Sequence, residues 1–156
     1  MNGLTQKNAG FTLVEVMMTA LLFGTVIVGL IWTFITCSLL TEMTGNISKL
    51  YIEAQAKIEE MRNHTFSTLV TDYSLSGTPG NKFSISDPQA MGVIYLDATN
   101  PNLILVNIKI SFSGRNGRIV GEDLDLDGTI DAGEDVVNIG VLDSPISLST
   151  IIGNKS

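Results

Sequence analysis

The chain is poor in residues that cross-link small proteins or carry acid-base chemistry. Its 156 residues include one cysteine, Cys37, and one histidine, His64. A single cysteine excludes an intramolecular disulfide and leaves the redox compartment undetermined. A lone histidine just after a predicted helix favours a surface residue over a catalyst, and the sequence has no phosphate-binding loop and no G-x-S-x-G elbow. We therefore expect that the protein is not an enzyme.

Basic residues are also scarce. Nine Lys and Arg residues stand against sixteen Asp and Glu residues, which gives a formal net charge of -7. Nucleic acids and anionic lipids are held through clustered basic side chains, so the charge argues against both as partners. The length leaves room for one domain of ordinary size.

Charge is absent altogether from residues 16–41, where Leu, Val, Ile, Phe, Met and Ala dominate. A membrane helix needs roughly 20 such residues. A cleaved secretory signal has an apolar core of about 7 to 15 residues that ends at a small-residue cleavage site, so this run is too long for one. The sequence predicts a transmembrane segment over residues 11–41.

The helical period continues beyond this segment. Apolar residues recur at steps of three and four, at Ile47, Leu50, Tyr51, Ala54, Ile58 and Met61. Since no proline occurs between Thr12 and Asn63, we expect one helix of about 50 residues, roughly 75 Å long. Its outer half, residues 42–63, is predicted to be amphipathic.

Turn and strand signals dominate residues 64–156. Strands are predicted at residues 91–97 and 102–112, with weaker candidates at 136–142 and 146–152. We expect an antiparallel sheet packed on the outer half of the helix, which makes an α+β head.

The N-terminus carries a specific motif. Lys7, the Gly10-Phe11 junction, the following TLVEV and the uncharged helix resemble the type IV pilin-like family, which includes pilins and the pseudopilins of type II secretion. The resemblance implies that a prepilin peptidase cuts after Gly10, removes the leader (residues 1–10) and methylates the amino group of Phe11. It also implies that Glu15 attracts the N-terminal ammonium of a neighbouring subunit.

The same resemblance implies partners and a location. The partners are other pilin or pseudopilin subunits, the prepilin peptidase and an inner-membrane assembly platform. The protein would cross the inner membrane once, with its head in the periplasm or outside the cell. The helix ending AQAKIEEMRN is similar to the helices of minor pilins and pseudopilins, which favours a low-abundance subunit.

Physical chemistry gives Glu15 two interpretations. An ionised group near lipid is expensive unless it is paired, which favours a functional role. Alternatively, Glu15 lies at headgroup depth and interacts with the positive helix N-terminus, worth a few tenths to about 1 kcal/mol.

An acidic loop, DLDLDGTIDAGE, occupies residues 123–134. It fits the calcium-loop template D-x-[DN]-x-[DN]-G-x5-E. The predicted ligands are the carboxylates of Asp123, Asp125 and Asp127, the carbonyl of Thr129, Asp131 directly or through water, and the bidentate carboxylate of Glu134. The alternative to a calcium site is a solvated acidic turn.

Three further expectations concern this loop. The flanking sequences lack helical patterns, so we expect the loop without the helices of an EF-hand. Ile130 is expected to anchor the loop to the head. In a second, similar stretch, Val137 and Ile139 replace Asp125 and Asp127, so one structural calcium site is predicted.

Two functions from different classes follow. The first is a structural subunit of a pilus-like or pseudopilus filament with a calcium-stabilised head. The second is a single-span membrane protein with a calcium-dependent binding head that never polymerises.

Overall fold

The computed structural model describes residues 11–136 and 140–154, except for the side chain of Asn116. Gly10, the rest of the predicted leader, Val137 and Ile139 lie outside these residues. The chain divides into two compact units, Met1–Glu42 and Met43–Ser156. A single helix, α1 (Leu13–Arg62), contributes to both.

In the first unit, α1 exposes its apolar side chains on all sides. By length and composition this helix can cross a membrane. Its hydroxyl groups are satisfied within the helix: Thr33 donates to the carbonyl of Gly29 and Thr41 to that of Cys37, at 2.9 Å each. Such bonds lower the cost of placing a hydroxyl in an apolar surrounding.

The second unit contains a sheet of five antiparallel strands. Its elements are α2 (Phe66–Asp72), β1 (Lys82–Ser86), β2 (Gln89–Asn100), β3 (Leu103–Ser113), a short 3-10 helix (Arg115–Gly117), β4 (Ile119–Val120) and β5 (Ile146–Gly153). The strands are ordered β1-β2-β3, and both β4 and β5 pair with the free side of β3. This confirms the predicted α+β fold.

The core lies between one face of α1 and one face of the sheet. The helix contributes its buried residues at helical spacing: Leu50, Ala54, Ile58 and Met61. The sheet contributes alternate residues of β3: Ile104, Val106, Ile108, Ile110 and Phe112. All members of this core cluster belong to Met43–Ser156. The unit therefore has a complete core of its own and meets the usual condition for independent folding.

The sequence interpretation missed four short elements, namely α2, β1, the 3-10 helix and β4. The strand candidate 136–142 was not found at its described positions: residue 136 lies in a turn, residues 140 and 141 form a bend, and residue 142 has no regular secondary structure. Gly140 has a φ of +72°. This left-handed conformation interrupts an extended strand.

Candidate functional site

The N-terminal end of α1 is shaped by a short-range hydrogen bond. The hydroxyl of Thr12 accepts from the amide of Glu15 at 3.3 Å. Thr12 and Glu15 have the T-x-x-E spacing of a capping box, in which the first residue caps the helix and the carboxylate follows in the first turn. This spacing could have revealed the cap in the sequence, but the sequence interpretation did not use it.

Phe11 and Glu15 are both exposed at this end. Glu15 belongs to the first turn of α1, where the helix dipole favours a negative charge. Its carboxylate forms no hydrogen bond or ion pair with the residues that the structure describes. Gly10, the predicted cleavage position, lies outside those residues.

The acidic loop is closed by hydrogen bonds between its two ends. Glu134 accepts from the amides of Leu124 at 2.8 Å and Asp131 at 3.0 Å. Asp123 accepts from the amides of Asp127 at 3.1 Å and Gly128 at 3.0 Å. The first and last carboxylates of the loop are consequently buried, with Asp123 1% and Glu134 4% exposed.

The loop brings its carboxylates together in two overlapping groups. One oxygen from each of Asp123, Asp125 and Glu134 lies within 4.8 Å of the others, and the same holds for Asp125, Asp127 and Asp131. Asp125 belongs to both groups, which together include all five predicted carboxylates. Hard oxygen donors converging in this way suit Ca²⁺.

Thr129 also lies inside the loop. Its amide donates to the Oδ1 of Asp127 at 2.6 Å, and its hydroxyl donates to the same oxygen. These hydrogen bonds lower the pKa of Asp127. The predicted contribution of the Thr129 carbonyl to a metal stays a prediction.

Charge is concentrated at the buried end of the loop. Burial raises the pKa of Asp123, the amides of Gly128 and Asp127 oppose this rise, and the charges of Glu134 and Asp125 add to it. A nearby divalent cation would favour the ionised carboxylates. The donor set and its electrostatics therefore fit a calcium ion.

The loop is fixed to the outer face of the sheet. The amide of Leu142 donates to the hydroxyl of Tyr95 at 3.0 Å, and Lys109 on β3 donates to Asp143 at 2.7 Å. Leu142 is buried, whereas Ile130 is 44% exposed. The expectation that Ile130 anchors the loop is wrong, because its side chain is exposed; the loop instead attaches to β1 through the ammonium of Lys82, which donates to the carbonyl of Asp127 at 3.1 Å.

The flanks of the loop agree with the expectation of a calcium loop without EF-hand helices. The strand β4 precedes it, and of the described residues that end and follow it, 132–134 and 136 form turns and 135 has no regular secondary structure.

Comparison with known families gives one match. The model of the prokaryotic N-terminal methylation motif matches residues 5–31. This confirms the resemblance drawn from Gly10-Phe11 and TLVEV, and it supports a type IV pilin-like protein with a prepilin-type N-terminus. Searches of curated proteins and of solved structures gave no significant match.

Proposed function

We propose that the protein is a structural subunit of a type IV pilus-like or type II secretion pseudopilus filament. The observation that carries the proposal is the methylation motif at residues 5–31, which opens a 50-residue apolar helix. The precursor inserts into the inner membrane and loses residues 1–10, and the new amino group of Phe11 is methylated. The exposed apolar side chains of the first unit then pack against the helices of neighbouring subunits.

Glu15 would guide this assembly. Its carboxylate has no described partner, and near lipid an ionised group gains most from a paired charge. The N-terminal ammonium of an adjacent subunit supplies the opposite charge. The capping hydrogen bond that the Glu15 amide donates to the Thr12 hydroxyl holds the first turn of the helix that presents the carboxylate.

Replacing Glu15 tests this function. Glu15→Ala is expected to leave leader cleavage intact and to abolish co-assembly with wild-type subunits, measured in sheared filaments. Glu53→Ala, at an exposed position on the outer half of α1, is the matched control and should assemble normally. Normal assembly of Glu15→Ala would contradict the proposed role.

Mass spectrometry of the purified protein distinguishes the two function classes. A filament subunit should begin with N-methyl-Phe11. A retained Met1 would instead favour the single-span membrane protein that never polymerises.

Within the filament we assign the protein to the minor subunits, on the similarity of AQAKIEEMRN to their helices. Quantitative mass spectrometry of sheared filaments should then find it well below the main subunit. An equal or higher amount would contradict this assignment.

The acidic loop is proposed to hold one structural calcium ion. A bound ion would neutralise the converging carboxylates and join the two ends of the loop. The proposal is supported by the complete template match and by the two overlapping carboxylate groups. A small head without a disulfide gains from such a ligand, since binding to the folded state alone stabilises it.

Thermal unfolding of the isolated head, Met43–Ser156, tests the calcium site. At a calcium concentration ten times the Kd, the free energy of unfolding should rise by about 1.4 kcal/mol relative to EDTA. Asp125→Ala, which removes the side-chain oxygen ligand altogether, should abolish this response, whereas Glu122→Gln, outside the template, should keep it. An unchanged midpoint in the wild-type head would refute the site.

A further inference from the structure

The strand β5 forms an open edge of the sheet. Among the described residues it pairs with β3 alone. The amide of Asn154 donates to the carbonyl of Asn102 at 3.0 Å, which shows that even-numbered residues face β3 in this register. In an antiparallel ladder the alternate residues face the opposite way. The backbone groups of Ser147, Ser149, Ile151 and Gly153 therefore point to the open edge.

The two edges of the sheet differ in how they are protected. The edge strand β1 has five residues, begins with Lys82 and is followed directly by Asp87 and Pro88. Short length, charge and proline are the usual protection against strand pairing. In contrast, β5 has eight residues, ISLSTIIG, that contain neither charge nor proline, and Pro145 directly precedes it. An unprotected edge of this length is suited to accept another strand.

Surface grooves follow this edge. One groove of about 330 Å³ is lined by Ile58 and Glu59 of α1 and by residues 148–150 of β5. Another of about 520 Å³ continues along residues 151–154. Arg62 borders both and donates to the hydroxyl of Thr150 at 2.9 Å. The grooves provide room beside the edge for the side chains of an added strand.

The charge and apolar character of the surface around β5 indicate what kind of strand could pair with it. Arg62 is already paired with Glu59 at 2.7 Å, and the outward positions of β5 are uncharged. The face of the sheet opposite the core carries three exposed apolar side chains near this edge, Leu103, Leu105 and Ile151. Leu105 is the register partner of Ile151. A neutral strand with apolar side chains matches this surface, whereas a charged strand would find no counter-charge there.

We propose that β5 is a docking edge for an extended, uncharged strand of a neighbouring filament subunit. The strand would add to the sheet beyond β5 through the backbone groups of Ser147, Ser149, Ile151 and Gly153. This inference rests on the proposed filament function. It adds a contact between heads to the helix contacts of the first unit.

A proline at position 149 tests the docking edge in the full-length protein. Ser149→Pro removes an outward amide that β3 does not use, and proline is tolerated at such positions of edge strands. Ser149→Ala keeps the amide and is the matched control. Incorporation into sheared filaments should fall about tenfold for Ser149→Pro, as expected for the loss of roughly 1.4 kcal/mol, and stay unchanged for Ser149→Ala.

Loss of docking must be distinguished from unfolding of the variant and from failure of the filament function itself. The Ser149→Pro head should melt at the wild-type temperature; if it does not, Ser147→Pro repeats the test at another outward amide. Wild-type incorporation of a proline variant would overturn the docking edge and leave the filament function standing. If the wild-type chain itself is absent from filaments, the filament function fails and the docking edge fails with it.

Discussion

At the scale of single residues, Gly128 determines how closely the acidic loop approaches the sheet. Its φ is +72°, in the left-handed region that favours glycine. A Cβ at this position would lie 2.9 Å from the Cδ of Lys82 and 3.2 Å from atoms of both Met91 and Val93. The turn of the calcium template is therefore also a packing contact with β1 and β2.

Replacing Gly128 by alanine should destabilise the head for two reasons, the left-handed backbone conformation and the crowding of the added Cβ. The left-handed backbone costs about 1 to 2 kcal/mol for a side chain with a Cβ, and the crowding adds about 1 to 3 kcal/mol. Gly140→Ala is a matched control, because Gly140 has the same φ of +72° and no atom of the described residues lies within 4 Å of its added Cβ. Urea unfolding of the two variants should show the larger loss for Gly128→Ala. Equal losses would mean that the loop moves away from the sheet without cost.

At the scale of elements, long-period patterns could be predicted and short elements could not. The apolar period and the absence of proline predicted a helix between Thr12 and Asn63, and α1 spans Leu13–Arg62. The predicted strands 91–97, 102–112 and 146–152 correspond to β2, β3 and β5. In contrast, β1 has five residues and α2 has seven, and elements this short depend on packing against the core more than on their own pattern.

For the acidic loop too, the local arrangement could be predicted from the sequence and the long-range contacts could not. The spacing of DLDLDGTIDAGE predicted which carboxylates lie together, because the template itself describes a compact turn. Long-range partners of the segment after the loop could not be predicted, since Tyr95 and Lys109 lie on β2 and β3 at positions without a local signal. Sheet register brings these two residues to the segment after the loop.

Tyr95 links that segment to the sheet, and its loss should loosen the acidic loop. In Tyr95→Phe, the amide of the buried Leu142 loses its acceptor, which costs about 1 to 3 kcal/mol. We expect a lower melting temperature of the head and a several-fold weaker response to calcium.

The control for this prediction is Tyr51→Phe, since the Tyr51 hydroxyl has no hydrogen bond to the described residues. It should leave both measurements unchanged. A normal calcium titration of Tyr95→Phe would show that the loop forms independently of its attachment to β2.

At the scale of the whole head, one polar network ties α1 to the chain that follows it. Lys57 donates to both carboxylate oxygens of Glu60 at 2.9 Å, and the hydroxyl of Tyr73 donates to Glu60 at 2.8 Å. The Lys57 ammonium also lies 5.5 Å from the centre of the Tyr73 ring. Tyr73 is buried, so the network fixes the segment after α2 against the helix.

This network predicts how the stability of the head depends on acid. Burial alone would raise the pKa of Glu60, but hydrogen bonds from Lys57 and Tyr73 and the charges of Lys57 and His64 outweigh it and lower the pKa below 4.5. A carboxylate with a lowered folded-state pKa contributes stability above its unfolded pKa and loses it as the pH falls through the folded value. Glu60 therefore stabilises the head at neutral pH and ceases to do so in acid.

Comparison of the wild-type head with Glu60→Gln isolates this contribution. At pH 7 the wild type should unfold at the higher urea concentration, because glutamine cannot form the ion pair with Lys57. As the pH falls below 4.5, the difference between the two midpoints should shrink towards zero. Both proteins are measured in EDTA, so that protonation of the acidic loop affects them equally. A difference that persists unchanged to pH 3 would mean that Glu60 acts through packing and hydrogen-bond shape, with no contribution from its charge.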